Sequence, residues 1–451
     1  MKTKMITFFT LANLKKNKIE LLLIVYSALW LFFYLVEPIR KKILREESQT
    51  LQNNSLFIII GLSLLVLLIF YFFIFLEIKK RVNLNFKKIF FISIIVNLFL
   101  LFVWPIASCD LFHYIQHGRV LGVFRENPYT NSYSNFNHDP FFNKLENKLM
   151  TLKSPYGPLF IIINGAISLI SKNNITLNLF LLKFFFVVLN IFTGYFIYKI
   201  SKNIVSFYLY AFNPLILFEF SINGHNDILL IFFIIAFFLF YKKSGIKNNL
   251  ISFTFLVLSF LTKFIPIIFL PIFILTVLSK LKTNKERIYF SLASLLIFSL
   301  LTIALYGPFI KSPEDIIRPM ILQSKTIGIF MSPLIILLIG ILRKITTNPI
   351  PASIIIGKIA FVIFYFFVII KIIKNKFKQK NEKEENIYEL FGITILFFYL
   401  SFFSWLMPWY FTSIILIFAL NYCFRPKQQY LSLLAIFGST FYGLLYYLFL
   451  R

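Results

Sequence analysis

Long apolar runs, divided by short polar or basic clusters, fill this chain from end to end. Many of them are about 15–22 residues long, which is what a helix needs to cross a bilayer's hydrocarbon layer. Candidate membrane helices fall at 19–36, 56–76, 89–107, 157–171, 177–199, 204–221, 227–241, 249–262, 264–279, 288–306, 328–343, 353–373, 388–406, 408–424 and 430–450. Leu56–Leu76 is the cleanest, with only Gly61 and Ser63 interrupting the apolar pattern. Strands of alternating polarity, as in a membrane barrel, are not seen. The pattern predicts an all-α polytopic membrane protein, one integral domain over 1–451.

The basic clusters set a topology. Lys15-Lys16, Lys79–Arg81, Lys87-Lys88, Lys242-Lys243, Lys280–Arg287 and Lys371–Lys383 sit between apolar runs, as cytoplasmic loops do under the positive-inside rule. The basic segment Met1–Lys18 before Ile19–Val36 resembles a signal peptide, but no small-residue cleavage site follows, so a retained first span is expected. Three crossings then put the loop 108–158 outside. Keeping Lys199–Lys202 and Lys242–Lys247 inside places Asn223–Asp227 outside as well, and parity requires that 157–171 not be a full crossing. A second conflict falls between Tyr306 and Ile354. Prolines at 155, 158, 214, 266 and 271 mark where helices break, which is tolerated only beside protein or a watery cavity. The segment 374–387 is a charged cytoplasmic linker, and no internal repeat suggests a transporter's inverted halves.

Composition agrees: 59% of residues are hydrophobic and only 14% charged, too few charges for a soluble domain's surface. The formal charge of +28 follows from the loop clusters and their attraction to anionic headgroups; a nucleic-acid partner is rejected, and the bilayer is the expected one. Cys109 and Cys423 lie on different elements and support no disulfide argument.

Against that apolar background, Ser108–Pro158 concentrates the versatile chemistry. Asp110 follows Trp104-Pro105 at the end of a span, as an interfacial cap of the next helix or as a functional carboxylate near water. Asp110, His113, Tyr114 and His117 share one helical face. Two chemistries fit it: a general base surrounded by hydrogen-bond donors, or a site for a divalent cation, although a fourth ligand is missing nearby. Asn127-Pro128-Tyr129 and Ser154-Pro155-Tyr156-Gly157-Pro158 are turn words that shape a wall. Asn223-Gly224-His225-Asn226-Asp227 is a second polar island, costly between membrane segments unless solvated. Lys263, in Leu261-Thr262-Lys263-Phe264-Ile265-Pro266, either snorkels to an interface or heads a cavity as a phosphate partner. Trp405 and Met407-Pro408-Trp409-Tyr410 form an interfacial aromatic belt or a sugar-stacking surface.

Taken in order, Asp110…Tyr114…Gly118-Arg119, Asn127-Pro128-Tyr129, Ser154–Pro158, Asn213-Pro214, Gly224–Asp227, Leu261–Pro266 with Pro271, and Pro408-Trp409-Tyr410 make the chain resemble the GT-C superfamily of glycosyltransferases. The likeness is to bacterial polyprenol-phosphate-mannose-dependent mannosyltransferases and covers about residues 100–415. It implies a GT-C-like bundle of roughly 11–14 membrane helices in the inner (plasma) membrane, with its active site facing away from the cytoplasm. A hexose, mannose by the resemblance, would pass from a polyprenyl-phosphate donor to a glycan or glycolipid acceptor. The resemblance makes Asp110, His225 and Asp227 the catalytic candidates. Tyr114, His117, Arg119, Asn127, Tyr129, Tyr156, Asn226, Lys263, Trp409 and Tyr410 become the substrate-binding candidates. No metal site and no certain cofactor follow, a divalent cation staying open. Two spans precede the one leading to Asp110, where the simplest superfamily pattern has none. The rivals are a lipid-linked glycan polymerase or ligase, which relies on clustered arginines, and a lipid-linked sugar flippase, which needs paired intramembrane charges.

Overall fold

The structure is a computed structural model and describes residues 17–35, 54–81, 83–145, 150–310, 330–377 and 387–449. The charged linker expected at 374–387 lies largely outside these residues, as do most of the basic N-terminus and much of the topologically awkward stretch after Tyr306. The described chain is all helix: α1 (Lys18–Leu29), α2 (Asn54–Lys79), α3 (Phe86–Leu101), α4 (Asp110–Gly122), α5 (Pro158–Ser171), α6 (Ile175–Ser201), α7 (Ile204–Ala211), α8 (Pro214–Ile222), α9 (Asp227–Tyr241), α10 (Ile246–Thr262), α11 (Phe269–Lys280), α12 (Asn284–Tyr306), α13 (Pro333–Leu342), α14 (Pro349–Phe377), α15 (Ile387–Ser401), α16 (Phe411–Phe424) and α17 (Gln429–Phe449). Six helices are long and apolar enough to cross a membrane, or seven if the bent pair α7–α8 is one span. The chain is thus an all-α multi-pass membrane protein. On α12, Leu292, Leu295, Leu296, Leu300 and Ile303 all point outward; an apolar exterior of this kind suits lipid, not water.

Asparagines start many of the helices. Asn85, Asn174, Asn203 and Asn213 each accept a first-turn backbone N–H at the N-cap of α3, α6, α7 and α8, satisfying donors that lipid could not. The run expected as one helix over 204–221 breaks at Asn213-Pro214, bending by 45°, because proline removes a donor and bars the preceding residue from helical geometry. Beyond the bend, Leu217–Ile222 winds as a π-helix.

The two ends of the bundle differ in chemistry. At one end Lys18 pairs with Glu77 at 2.7 Å, Lys242 donates to the carbonyl of Ile200, and Arg425 meets Glu389 at 2.6 Å. At the other end of the same helices lie Asp110, Asp227, Lys263 and Tyr447. The α5 segment has only 14 residues, about 21 Å at 1.5 Å per residue, short of the hydrocarbon thickness. Gly118 and Gly122, one turn apart on α4, let it press on α5: a Cβ at Gly122 would stand 2.1 Å from the Gly165 carbonyl oxygen. Small residues at this spacing permit such close helix approach.

Candidate active site

The last turn before the α9 helix collects the site. Asn223 donates to Glu219 at 3.3 Å and accepts from the Ala107 backbone at 3.2 Å, tying the island to the end of α3. Gly224 has φ +72°, a left-handed turn that glycine adopts without Cβ strain. This turn aims His225 back toward the start of α4. The ring lies between two carboxylates, with Nδ1 3.4 Å from Asp110 Oδ2 and Nε2 3.1 Å from Glu219 Oε2. Those are ion-pair distances, off the line of well-directed hydrogen bonds. Trp409 covers the imidazole face at 3.7 Å between centroids, tilted by 20°.

Beside this sits a second pair. Lys263 Nζ reaches both oxygens of Asp227 at 2.9 and 3.0 Å and lies 4.5 Å above the Tyr410 ring. Lys263 is presented where α10 ends in an extended residue, and the Ser154–Pro158 turn fixes that end. Gly157 N–H donates to the Thr262 carbonyl at 3.0 Å. Tyr129 donates to the Tyr156 carbonyl at 2.8 Å, and the Ser154 backbone donates to that of Pro128 at 2.9 Å. Tyr156 packs edge-on against Tyr114, whose hydroxyl donates to Asn226 Oδ1 at 3.2 Å.

Among the three carboxylates, access separates the roles. The Asp110 side chain is 21% exposed, whereas Glu219 is fully buried and Asp227 is 4% exposed. Asp110 is the most accessible of the three. Burial alone would raise its proton affinity, but the nearby cationic His225 ring, with His113 and Lys263 behind, holds the carboxyl below its ordinary value. Its place in the first turn of α4 favours the anion too. Burial alone would lower His225, yet Asp110 and Glu219 push it up to about 9, so the ring is an imidazolium at neutral pH. His117 is pushed down to about 3, by burial first and His113 second, and is neutral.

Asp110, Tyr114, Tyr156, His225, Asn226, Asp227, Lys263, Trp409 and Tyr410 therefore come together, although they span some three hundred positions of sequence. Tyr129 and Asn127 stand behind them as wall: Asn127 donates to the Phe309 carbonyl at 2.7 Å. Arg119, expected as a substrate-binding cation, is placed elsewhere. It is buried against Asp139 at 2.5 Å, donates to the Lys172 carbonyl at 2.5 Å, and covers the Phe141 ring. Its charge is committed to fastening the 108–158 loop. Trp409 is not a lipid-facing belt residue, since the imidazole occupies one of its faces. Asp110, His113 and His117 do not converge: His113 faces Gln116 at 2.9 Å and His117 packs against Tyr156. Among the described residues no group of three or more His, Cys, Asp or Glu could hold a metal ion.

Glu219 escaped the sequence reading. Its signal was there: a lone acid within Leu215–Ile222, where a membrane carboxylate is costly and marks function or a specific partner. Tyr447, its hydroxyl 2.5 Å from Glu219 Oε1, carried no signal at all.

Fold and site define a class: a multi-pass helical membrane protein that gathers acids, an imidazolium and an ammonium close together at one end of an apolar bundle. The family follows from a match over residues 23–279 to the MptA_B family, described as Alpha-(1->6)-mannopyranosyltransferase, N-terminal domain. That is more than half of the 451 residues, and the chain belongs to this mannosyltransferase family. No curated protein and no solved structure matches the chain.

Proposed function

We propose that this chain transfers a mannosyl group from a polyprenyl-phosphate donor to a lipid-linked or surface glycan, on the non-cytoplasmic face of the plasma membrane. Asp110 is the general base. The α-(1→6) linkage in the family's description makes the acceptor a primary C6 hydroxyl. Asp110 Oδ1 takes that hydroxyl's proton as its oxygen bonds to mannose C1, while the C1–O bond to phosphate breaks and its electron pair leaves with polyprenyl phosphate. Lys263 faces the departing oxygens; of its three N–H donors, two are engaged by Asp227, and the third stabilises the developing charge. Asp227 holds the ammonium in place, and Tyr114, Tyr156 and Asn226 line the sugar's path.

The observation that carries this reading is the 21% exposure of the Asp110 side chain next to the buried Lys263–Asp227 pair. A lipid donor is confined to the bilayer, and a polar cluster at the end of an apolar bundle suits its charged head. The basic clusters at the opposite end of the bundle support the outward orientation by the positive-inside rule. The test is mannose transfer in membranes supplied with radiolabelled polyprenyl-phosphate mannose. Asp110→Asn should abolish label incorporation while the protein still accumulates and inserts. Transfer within tenfold of wild type in that variant would remove Asp110 from the chemistry.

A further inference from the structure

The geometry points to Glu219, on the π-helical turn of α8, as a positioning residue that acts on Asp110 through His225 and is itself oriented by Tyr447 and Asn223. The inference rests on Asp110 being the base. Glu219 is fully buried and cannot touch substrate. Nothing in its surroundings wastes its oxygens. Oε1 accepts from the Tyr447 hydroxyl at 2.5 Å; Oε2 accepts from Asn223 at 3.3 Å and faces His225 Nε2 at 3.1 Å. The Glu219 main-chain carbonyl also accepts the backbone N–H of His225 at 2.9 Å. One residue thus holds both the backbone and the ring edge of the histidine. Trp409 holds its face, and the free edge is directed at Asp110 Oδ2.

This arrangement resembles the logic by which a buried acid orients a histidine that serves a reacting group, with the histidine here serving a carboxylate. Holding Oδ2 restrains the carboxylate plane and leaves Oδ1 for the acceptor hydroxyl. A purely structural ion pair would not need this: an apolar trio of similar volume would be as stable or more so. A carboxylate this deep in an apolar bundle costs several kcal/mol on general grounds. The π-turn supplies the opportunity, since π-bulges shift a side chain out of helical register and occur often at functional sites. The charged and titratable groups nearest the imidazole are Asp110 from α4, Glu219 from α8 and Tyr447 from α17. Asp227 and Lys263 lie nearby, His113 and Cys109 lie on or beside α4, and the phenols of Tyr114, Tyr156, Tyr410 and Tyr446 surround the carboxylates.

The test is the pH profile of transfer by the full-length protein in membranes. In the wild type, activity should fall on the alkaline side as the imidazolium loses its proton. Glu219→Gln removes one of its two carboxylates, so the alkaline limb should move to lower pH by about one unit, with kcat down about 10–100-fold and donor KM within twofold. Glu219→Asp keeps the charge and should keep the limb within half a unit of wild type, at reduced kcat. An alkaline limb in Glu219→Gln identical to wild type overturns the inference. If Glu219→Gln does not accumulate, His225→Asn decides instead. It keeps a donor toward Asp110 but no charge, and should lose the limb and at least about tenfold in kcat; a wild-type profile overturns the inference. Asp110→Asn is run in parallel. If that variant stays active, the base assignment itself fails. If it is dead while Glu219→Gln behaves as wild type, only the role of Glu219 is lost.

Discussion

Gly157 joins the outer loop to the residue that presents Lys263, and no side chain fits there. An ideal Cβ at this position would lie 2.2 Å from the Leu261 carbonyl oxygen, 2.6 Å from its carbonyl carbon and 2.8 Å from that of Thr262. These are backbone atoms and cannot rotate aside. To reach ordinary contact at 3.4 Å, the two segments must separate by about 1.2 Å. The Gly157-to-Thr262 hydrogen bond, 3.0 Å long, would be lost, at about 1 kcal/mol. Lys263 is the next residue, so most of the displacement reaches its ammonium. A misplacement near 1 Å costs on the order of 100-fold in rate, about 2.7 kcal/mol of transition-state stabilisation. Gly157→Ala should therefore lower kcat about 100-fold in the radiolabel assay, with the protein inserted at normal levels. The control is Gly340→Ala on α13, where a Cβ meets nothing within 4 Å and a helical alanine is favoured over glycine by ~1 kcal/mol. A Gly157→Ala enzyme within threefold of wild type would refute the claim that this clamp sets the position of Lys263.

Other outcomes follow from the same geometry. Lys263→Met should lower kcat at least as far as Gly157→Ala does, about 100-fold or more, and also lower thermal stability by about 3–5 kcal/mol, since Asp227 is left buried and unpaired; pairing it with Asp227→Leu should restore stability without activity, read by thermal unfolding in detergent. Gly122→Leu should drive α4 from α5 and abolish transfer, whereas Arg119→Lys should weaken the outer loop's protease resistance before it affects kcat. Stability should also narrow from both sides of neutral pH. His225 is raised to about 9, so its contribution is complete below its unfolded value near 6.5 and is lost as pH rises through about 9. His117 is lowered to about 3, so its contribution is present above about 6.5 and is lost as pH falls toward 3; His117→Leu should remove that acid sensitivity in a melting series.

Much of the site was legible because membrane segments leave so few polar residues to choose among. Asp110, His225, Asp227 and Lys263 each interrupt an apolar run, and a charge there needs a partner. The partners themselves were harder to see. The pairing of Asp227 with Lys263, and of Arg119 with Asp139, depends on how antiparallel helices and a folded loop bring distant positions level, which periodicity does not encode. Arg119 entered as a substrate-binding candidate through the family resemblance; the carbonyl of Lys172 and the Phe141 ring that capture it are remote in sequence. The bend at Asn213-Pro214 was marked by its proline, but the π-turn beyond it, and hence the direction of Glu219, had no such marker. The course of the short segments was hardest to read, since the 14-residue α5 and the bent pair α7–α8 depart from simple full-length spans.

The stacking of Trp409 on His225 has a consequence for how the enzyme comes into being. Asp110, Glu219, His225, Asp227 and Lys263 all lie within the stretch that carries the family match, yet the indole, Tyr410 and the Tyr447 hydroxyl come from the other side of it. At roughly 5–20 residues per second, the ribosome releases Trp409 many seconds after Asp110 has been inserted. During that interval the nascent bundle holds an imidazole with one face bare and a buried acid short of a donor. Catalytic competence then arrives only with the last helices, and a fragment ending near residue 279 should insert but stay inert.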